Sequence, residues 1–413
     1  MDTVRPRLIS PVLVAGALVL IVSFAIRSSF GVFQIPIARD FGWPREAFSF
    51  AIAIQNLAWG IGQPMFGALA ERFGDRRAVI LGALLYAGGL VLSAFAVTPG
   101  QYQLLEVMVG FGIAGIGFGT VLAIVGRAAA PEHRSLALGI ATAAGSFGQV
   151  IGPLAAQALL THVALSTVFL VLAAAILTTL ATLPFLTAPT ANRPAAAGEK
   201  LSTVVARAFR DPSFTLIFVG FFSCGYQLGF LTAHFPALVT ETCGAISPTG
   251  PLAALGISTT SALGATSIAL IGLTNICGTF LAGWLGRTHS KRLLLSGIYT
   301  LRTLVSAAFI MTPVTPATVV IFALAMGALW LATVPLTSGL VAQIYGVRYM
   351  GTLYGIVFLS HQIGSFMGVW LGGWMFDLYG NYTAVWWIGV AVGAFSALVH
   401  LPVREEPLDL RTA

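Results

Sequence analysis

Gly67-Ala68-Leu69-Ala70-Glu71-Arg72-Phe73-Gly74-Asp75-Arg76-Arg77 lies between two long apolar runs, roughly 48–66 and 78–97. A connector this short needs glycine for its turn and water for its charges. Arg72, Arg76 and Arg77 enter hydrocarbon only at high cost, so the stretch marks the cytoplasmic side of a membrane protein. A degraded copy, Gly283-Trp284-Leu285-Gly286-Arg287-Thr288-His289-Ser290-Lys291-Arg292, follows 216 positions later. The same offset maps Gly139 to Gly355, Gly148 to Gly364 and Gly152 to Gly368. Four coincidences at one offset, on apolar runs of matching rank, predict two parallel halves.

The rest of the chain agrees. It is 57% hydrophobic and 8% charged, more apolar surface than a soluble domain can hide. Runs of about 20 residues, the length that spans a bilayer, recur throughout. Twelve are read, at roughly 11–33, 48–70, 78–97, 102–125, 135–158, 165–187, 213–237, 261–284, 292–312, 316–340, 350–374 and 383–401. Their unbroken apolarity predicts helices, since barrel strands alternate polar and apolar residues. The fold class expected is an all-α membrane protein with twelve transmembrane helices in two six-helix pseudo-repeat bundles. Residues 1–187 form the first bundle, 188–212 a cytoplasmic linker with a surface helix over Lys200–Arg210, and 213–413 the second bundle.

The net charge of +7 raises nucleic acid as a partner, and its distribution argues against one. With the N-terminus inside, seventeen of the 21 Lys and Arg fall in inner loops and tails, and only Arg39 and Arg45 in outer loops. Arg27 and Arg302 lie within spans. This bias places both termini in the cytoplasm. The opening Arg5-x-Arg7 resembles a signal-peptide start, but no small-residue cleavage site follows, and an uncleaved first helix is expected. Cys224, Cys243 and Cys277 form no disulfide framework. Gly110-Phe111-Gly112-Ile113-Ala114-Gly115 spells a dinucleotide fingerprint without the strand that must precede one, so close helix packing explains it.

The order Gly-x-Leu-Ala-acid-Arg-x-Gly-x-Arg-Arg at Gly67–Arg77 resembles the signature between helices 2 and 3 of the major facilitator superfamily of secondary transporters. The family usually has Asp where Glu71 stands, which keeps the charge and adds a methylene. In the fifth span, Arg134-Ser135-Leu136-Ala137-Leu138-Gly139-Ile140-Ala141 continues to Ala144-Gly145-Ser146 and Gly148-x-x-x-Gly152-Pro153. This is similar to the monocarboxylate transporters and oxalate–formate antiporters. The ending Gly372-Gly373-Trp374-Met375-Phe376-Asp377-x-x-Gly380-x-Tyr382 resembles the same branch. The Gly-x-x-x-Gly-Pro piece also resembles proton-coupled drug exporters. Those monocarboxylate relatives commonly carry an arginine in helix 8, where this chain has none and Asn275 is the notable polar residue.

Several polar residues inside the spans are candidates for chemistry. Arg27 in the first span reads either as a structural or snorkelling cation or as the anchor of an anionic substrate, its fork matching a carboxylate. Glu106 in the fourth span reads as Arg27's partner or as a proton carrier. Gln55 and Asn56 read as interhelical hydrogen bonders. Tyr226, Gln227 and His234 in the seventh span, Asn275 in the eighth, and His361 and Gln362 in the eleventh are candidate substrate contacts. Arg302, on one face with Tyr299, Thr303 and Ser306, is a structural or coupling charge. Gly67, Glu71, Arg72, Gly74, Asp75, Arg76 and Arg77 form the conformational-switch motif.

The resemblance implies transport by alternating access between two six-helix halves, with a small organic anion, such as a monocarboxylate, as substrate. A proton or counter-anion would accompany it. The chain is expected to act as a monomer in the inner or plasma membrane, with no cofactor, no bound metal and no nucleic-acid partner. Three rival readings stand beside this one. One is an efflux pump for lipophilic compounds and another a non-transporting receptor. The third, a membrane enzyme, would need a paired-carboxylate, Ser-base or metal cluster within the spans, and the sequence shows none.

Overall fold

The computed structural model describes residues 8–43, 45–160, 162–186 and 201–408. The described residues are helical with no strand. In chain order the long helices are α1 (Pro11–Phe41), α2 (Arg45–Phe73), α3 (Asp75–Ser93), α4 (Pro99–Ile116), α5 (Phe118–Ala128), α6 (Arg134–Leu160) and α7 (Leu165–Thr178). They continue as the amphipathic α8 (Leu201–Arg210), α9 (Pro212–Thr242), the single turn α10 (Pro251–Ala254), α11 (Thr260–Leu285), α12 (Lys291–Ile310), α13 (Pro316–Leu329), α14 (Thr333–Tyr345), α15 (Met350–Tyr379) and α16 (Thr383–His400). Most of the expected linker, residues 188–200, lies outside the described residues; the expected surface helix is α8.

Eleven helical stretches among the described residues are long and apolar enough to cross a bilayer. The twelfth span, α2, has 29 residues. Gln55, Asn56 and Gln63 in its middle lower its hydropathy, and all three are buried. Polar side chains are tolerated at such depth when they face other helices rather than lipid.

Gly74 alone separates α2 from α3. Its φ of 97° is a left-handed value that disfavours any residue with a Cβ, and its N–H bonds Ala70 O at 2.9 Å to close α2. The connector read from the sequence is therefore a single residue.

The glycine offset has a geometric counterpart. A Cβ on Gly148 or Gly152 of α6 would strike the carbonyls of Ile21 and Ala25 on α1. A Cβ on Gly364 or Gly368 of α15 would strike those of Phe222 and Tyr226 on α9. Each pair, one turn apart, lets two backbones meet where any side chain would hold them off. Gly139 and Gly355 do the same between other helices, against Gly283 of α11 and Pro64 of α2.

Two spans read as continuous are broken. Between α4 and α5, Gly117 is extended, and the orphaned Ala114 carbonyl accepts from Gln63 Nε2 at 3.1 Å and Thr120 Oγ1 at 2.8 Å. Between α13 and α14, the Leu331 N–H is taken by Asn275 Oδ1 at 2.9 Å. The breaks occupy matching ranks, the fourth and tenth spans. Such breaks survive in a bilayer only where side chains satisfy the freed backbone.

Candidate functional site

At the end of the bundle that carries Gly67–Arg77, here the basic end, α2 meets α15 and α6 meets α11. Glu71 in the last turn of α2 accepts from Thr352 N at 3.0 Å and from Thr352 Oγ1 at 2.5 Å. Gly67 lies against Gly351, so closely that no Cβ would fit. Ser135 Oγ donates to Gly283 O at 2.9 Å. Asp75 is salt-bridged to Arg127 of α5, and Arg134 Nε caps the α5 carbonyl of Gly126 at 2.9 Å. Arg72, Arg76 and Arg77 are exposed. The two carboxylates of the motif thus make its interhelix bonds, while its three arginines face solvent.

Above this closed end is a cavity whose space between atoms, mouth included, is about 590 Å3. Arg27, Ser28, Asn56, His361, Gln362 and Ser365 are among its polar lining. Phe24, Trp59, Phe118, Trp330 and Phe358 supply its aromatic wall. A second lobe runs away from the basic end past Phe30, Ser49, Thr232 and Val369, and Arg27 and Asn56 border both lobes. No Asp or Glu lines either lobe among the described residues.

Arg27 Nη2 donates to Asn56 Oδ1 at 2.6 Å. Arg27 Nε, Asn56 Nδ2 and Gln362 Nε2 are buried without a hydrogen-bond partner. Unpartnered donors are costly in a protein interior, and these three belong to residues that border one cavity. His361 is fixed by its neighbours, with Nδ1 3.3 Å from Gln362 Oε1 and its ring stacked on Phe358 at 5.0 Å.

Glu106, fully buried, makes no direct hydrogen bond to Arg27, although the two charges are close enough to act on each other. Its Oε2 accepts from Gln55 Nε2 at 2.5 Å, and the Tyr102 hydroxyl is a further neighbour of the carboxylate. Consecutive residues of α2 therefore serve the two charges separately, Gln55 holding Glu106 and Asn56 holding Arg27. Successive helical residues point about 100° apart, which is why one turn of α2 can do both.

The other candidates are engaged between helices. Tyr226 Oη donates to Val385 O at 3.1 Å and Gln227 Nε2 to Gly389 O at 2.8 Å, both on α16. His234 Nε2 lies 2.8 Å from Val369 O. Asn275 Nδ2 donates to Ser146 Oγ at 2.8 Å while its Oδ1 accepts from the Leu331 N–H, so it ties α11 to α6 and to the break. None of these four is in the lining of the central cavity. Arg302, fully buried on α12 with Tyr299 and Ser306, donates from Nη1 to Cys224 Sγ at 3.3 Å and not to Glu106.

Sequence reasoning passed over the aromatic wall and Gln63. The signal was present, since Phe24, Trp59 and Phe358 each lie three positions from a flagged polar residue. Spacing alone does not separate an aromatic in a cavity wall from one in the core.

Residues 16–267 match the family model described as Major Facilitator Superfamily. The chain is 24% identical over 393 residues to the uncharacterized MFS-type transporter YcxA of Bacillus subtilis (strain 168), covering 91% of this chain and 90% of that one. It is 27% identical over 406 residues to monocarboxylate transporter 13 of Rattus norvegicus, covering 94% and 88%. The proton:xylose symporter XylE has the same fold, with a TM-score of 0.74 at 14% identity over 97% of this chain and 98% of that one.

Proposed function

The chain belongs to the major facilitator superfamily, and on that premise we propose that it carries a small organic anion across the membrane by alternating access. The observation that carries this reading is the set of unpartnered donors on Arg27, Asn56 and Gln362, bordering a cavity with no carboxylate among its described lining. A cation whose hydrogen-bond partner is the neutral Asn56 keeps donors free for an anion that enters the cavity. Likeness to a monocarboxylate transporter over most of both chains supports the same class.

In this proposal Arg27 anchors the carboxylate, with Asn56 orienting the guanidinium and Gln362 and His361 completing the site from α15. Tyr226, Gln227, His234 and Asn275 hold helices together around it. Glu106 is the candidate proton carrier, held next to the anchor by the Gln55–Asn56 pair. The basic end faces the cytoplasm, as do both termini, and the protein works as a monomer in the inner or plasma membrane. Residues 1–187 and 213–413 move as the two halves. Opening the basic end requires Glu71 to leave Thr352, and the breaks in the fourth and tenth spans let their helices bend as it does so.

Counterflow in proteoliposomes tests the reading. Vesicles preloaded with unlabelled acetate or lactate should accumulate the labelled anion, and vesicles preloaded with an organic cation should not accumulate that cation. Accumulation of cations alone would support the efflux reading instead.

A further inference from the structure

We infer that the substrate is an aryl-substituted monocarboxylate, its carboxylate on Arg27 and Asn56 and its ring against the surface formed by Trp59, Phe24 and Phe358. The inference rests on the anion reading above and adds the shape of the rest of the molecule.

The argument is one of layers. On α1, Phe24 precedes Arg27 by three positions, which puts it nearer the basic end, where α1 begins. On α2, which runs the other way, Trp59 follows Asn56 by three and again lies nearer the basic end. On α15, Phe358 precedes His361 by three. Three helices thus each place an aromatic ring almost one turn, about 4.5 Å, below a polar side chain of the same cavity. The cavity is polar in one layer and aromatic in the next.

The rings form a connected surface. Trp59 is 5.9 Å from Phe24 in an edge arrangement and 4.9 Å from Phe358 across to α15. Phe24 packs on Phe118 at 3.9 Å. Trp59 Nε1 donates to Gln63 Oε1 at 3.0 Å, which fixes the indole and spends its only polar atom outside the cavity. The Trp59 indole therefore offers the cavity no hydrogen-bond donor. A small, fully hydrated anion such as acetate or oxalate would leave this layer unused. An aromatic ring about one turn's length from a carboxylate fills both layers, and edge and offset ring contacts suit its π-face.

The test is a titration series on the purified full-length protein, by calorimetry, with phenylacetate, acetate and phenethylammonium. Phenylacetate should bind about 10-fold to 150-fold tighter than acetate, the gain from burying a ring of that size. Phenethylammonium, with the same ring and the opposite charge, should not bind. Acetate binding as tightly as phenylacetate would overturn the aromatic inference and leave the anion reading in place. Phenethylammonium binding in place of phenylacetate would overturn the anion reading and this inference with it. Binding of none of the three would also overturn the inference.

Discussion

Glu71 and Thr352, 281 residues apart in the chain, are joined by two hydrogen bonds at the basic end, from the Thr352 amide at 3.0 Å and from its hydroxyl at 2.5 Å. The carboxylate closes the last turn of α2 onto the first turn of α15, where the helix dipole favours negative charge. The bonds hold only while the two helices stay together, so they stabilise the state in which this end is closed. A charge-assisted bond contributes ~1.5–3 kcal/mol, and Glu71→Gln should shift the balance toward opening by up to about 10-fold to 150-fold. Ala123 is buried beside Gly351. A cysteine introduced there should react faster with an impermeant maleimide, applied from the basic side, once Glu71→Gln is added. Equal rates would reduce the bond to a packing detail.

The helix pairs α1–α6 and α9–α15 depend on glycine. Gly152→Ala and Gly368→Ala each drive a methyl group into a carbonyl of the facing helix. Each should lower thermal stability by roughly 1–3 kcal/mol, the usual cost of overpacking. Gly297→Ala is the control, because nothing lies within 4 Å of its added Cβ. Equal melting temperatures for all three variants would contradict the close-approach account.

Asn275 separates structure from binding. Its side chain caps the break before α14 and holds Ser146. Asn275→Ala leaves the Leu331 N–H without an acceptor, at a cost of about 1–3 kcal/mol. Melting temperature should fall while anion affinity stays at the parent value. Lost affinity with an unchanged melting temperature would return Asn275 to the substrate site.

Much of this architecture was legible in the residues. The Gly67–Arg77 signature and the 216-residue offset reported paired helices because only glycine permits those contacts, and the pattern survives in spelling. Arg27, His361 and Gln362 stood out because polar groups in apolar spans are expensive. The helix breaks were not legible. Gly117 looks like any of 46 glycines, and its extended backbone depends on a cap from Gln63, 54 positions away. The hydrogen-bond partners of Arg27 and Glu106 were not legible either, for a similar reason. Shared depth suggested Glu106, whereas the rotation of α2 gives Arg27 to Asn56 and Glu106 to Gln55. Tyr226, Gln227 and His234 were polar enough to attract attention, and burial alone does not distinguish a helix tie from a ligand contact.

Glu106 is predicted to take part in coupling. It is the buried carboxylate nearest the proposed anchor in the hydrogen-bond pattern, through the adjacent Gln55 and Asn56. Glu106→Gln should change the pH dependence of uptake while leaving equilibrium anion binding at a single pH within about 3-fold, less than the ~1 kcal/mol of an ordinary hydrogen bond. Superimposable pH profiles for parent and variant would remove Glu106 from any coupling scheme.

The central claim is that Arg27 binds the substrate anion, and equilibrium binding of phenylacetate to the parent, Arg27→Lys and Arg27→Gln tests it most directly. Loss of the charge-assisted bonds should weaken binding by about 10-fold to 150-fold in Arg27→Gln. Arg27→Lys keeps the charge without the fork and should fall between. The double variant Arg27→Gln/Glu106→Gln should bind as weakly as Arg27→Gln alone. Parent-like affinity in Arg27→Gln, or its recovery in the double variant, would contradict the account and leave Arg27 a structural charge.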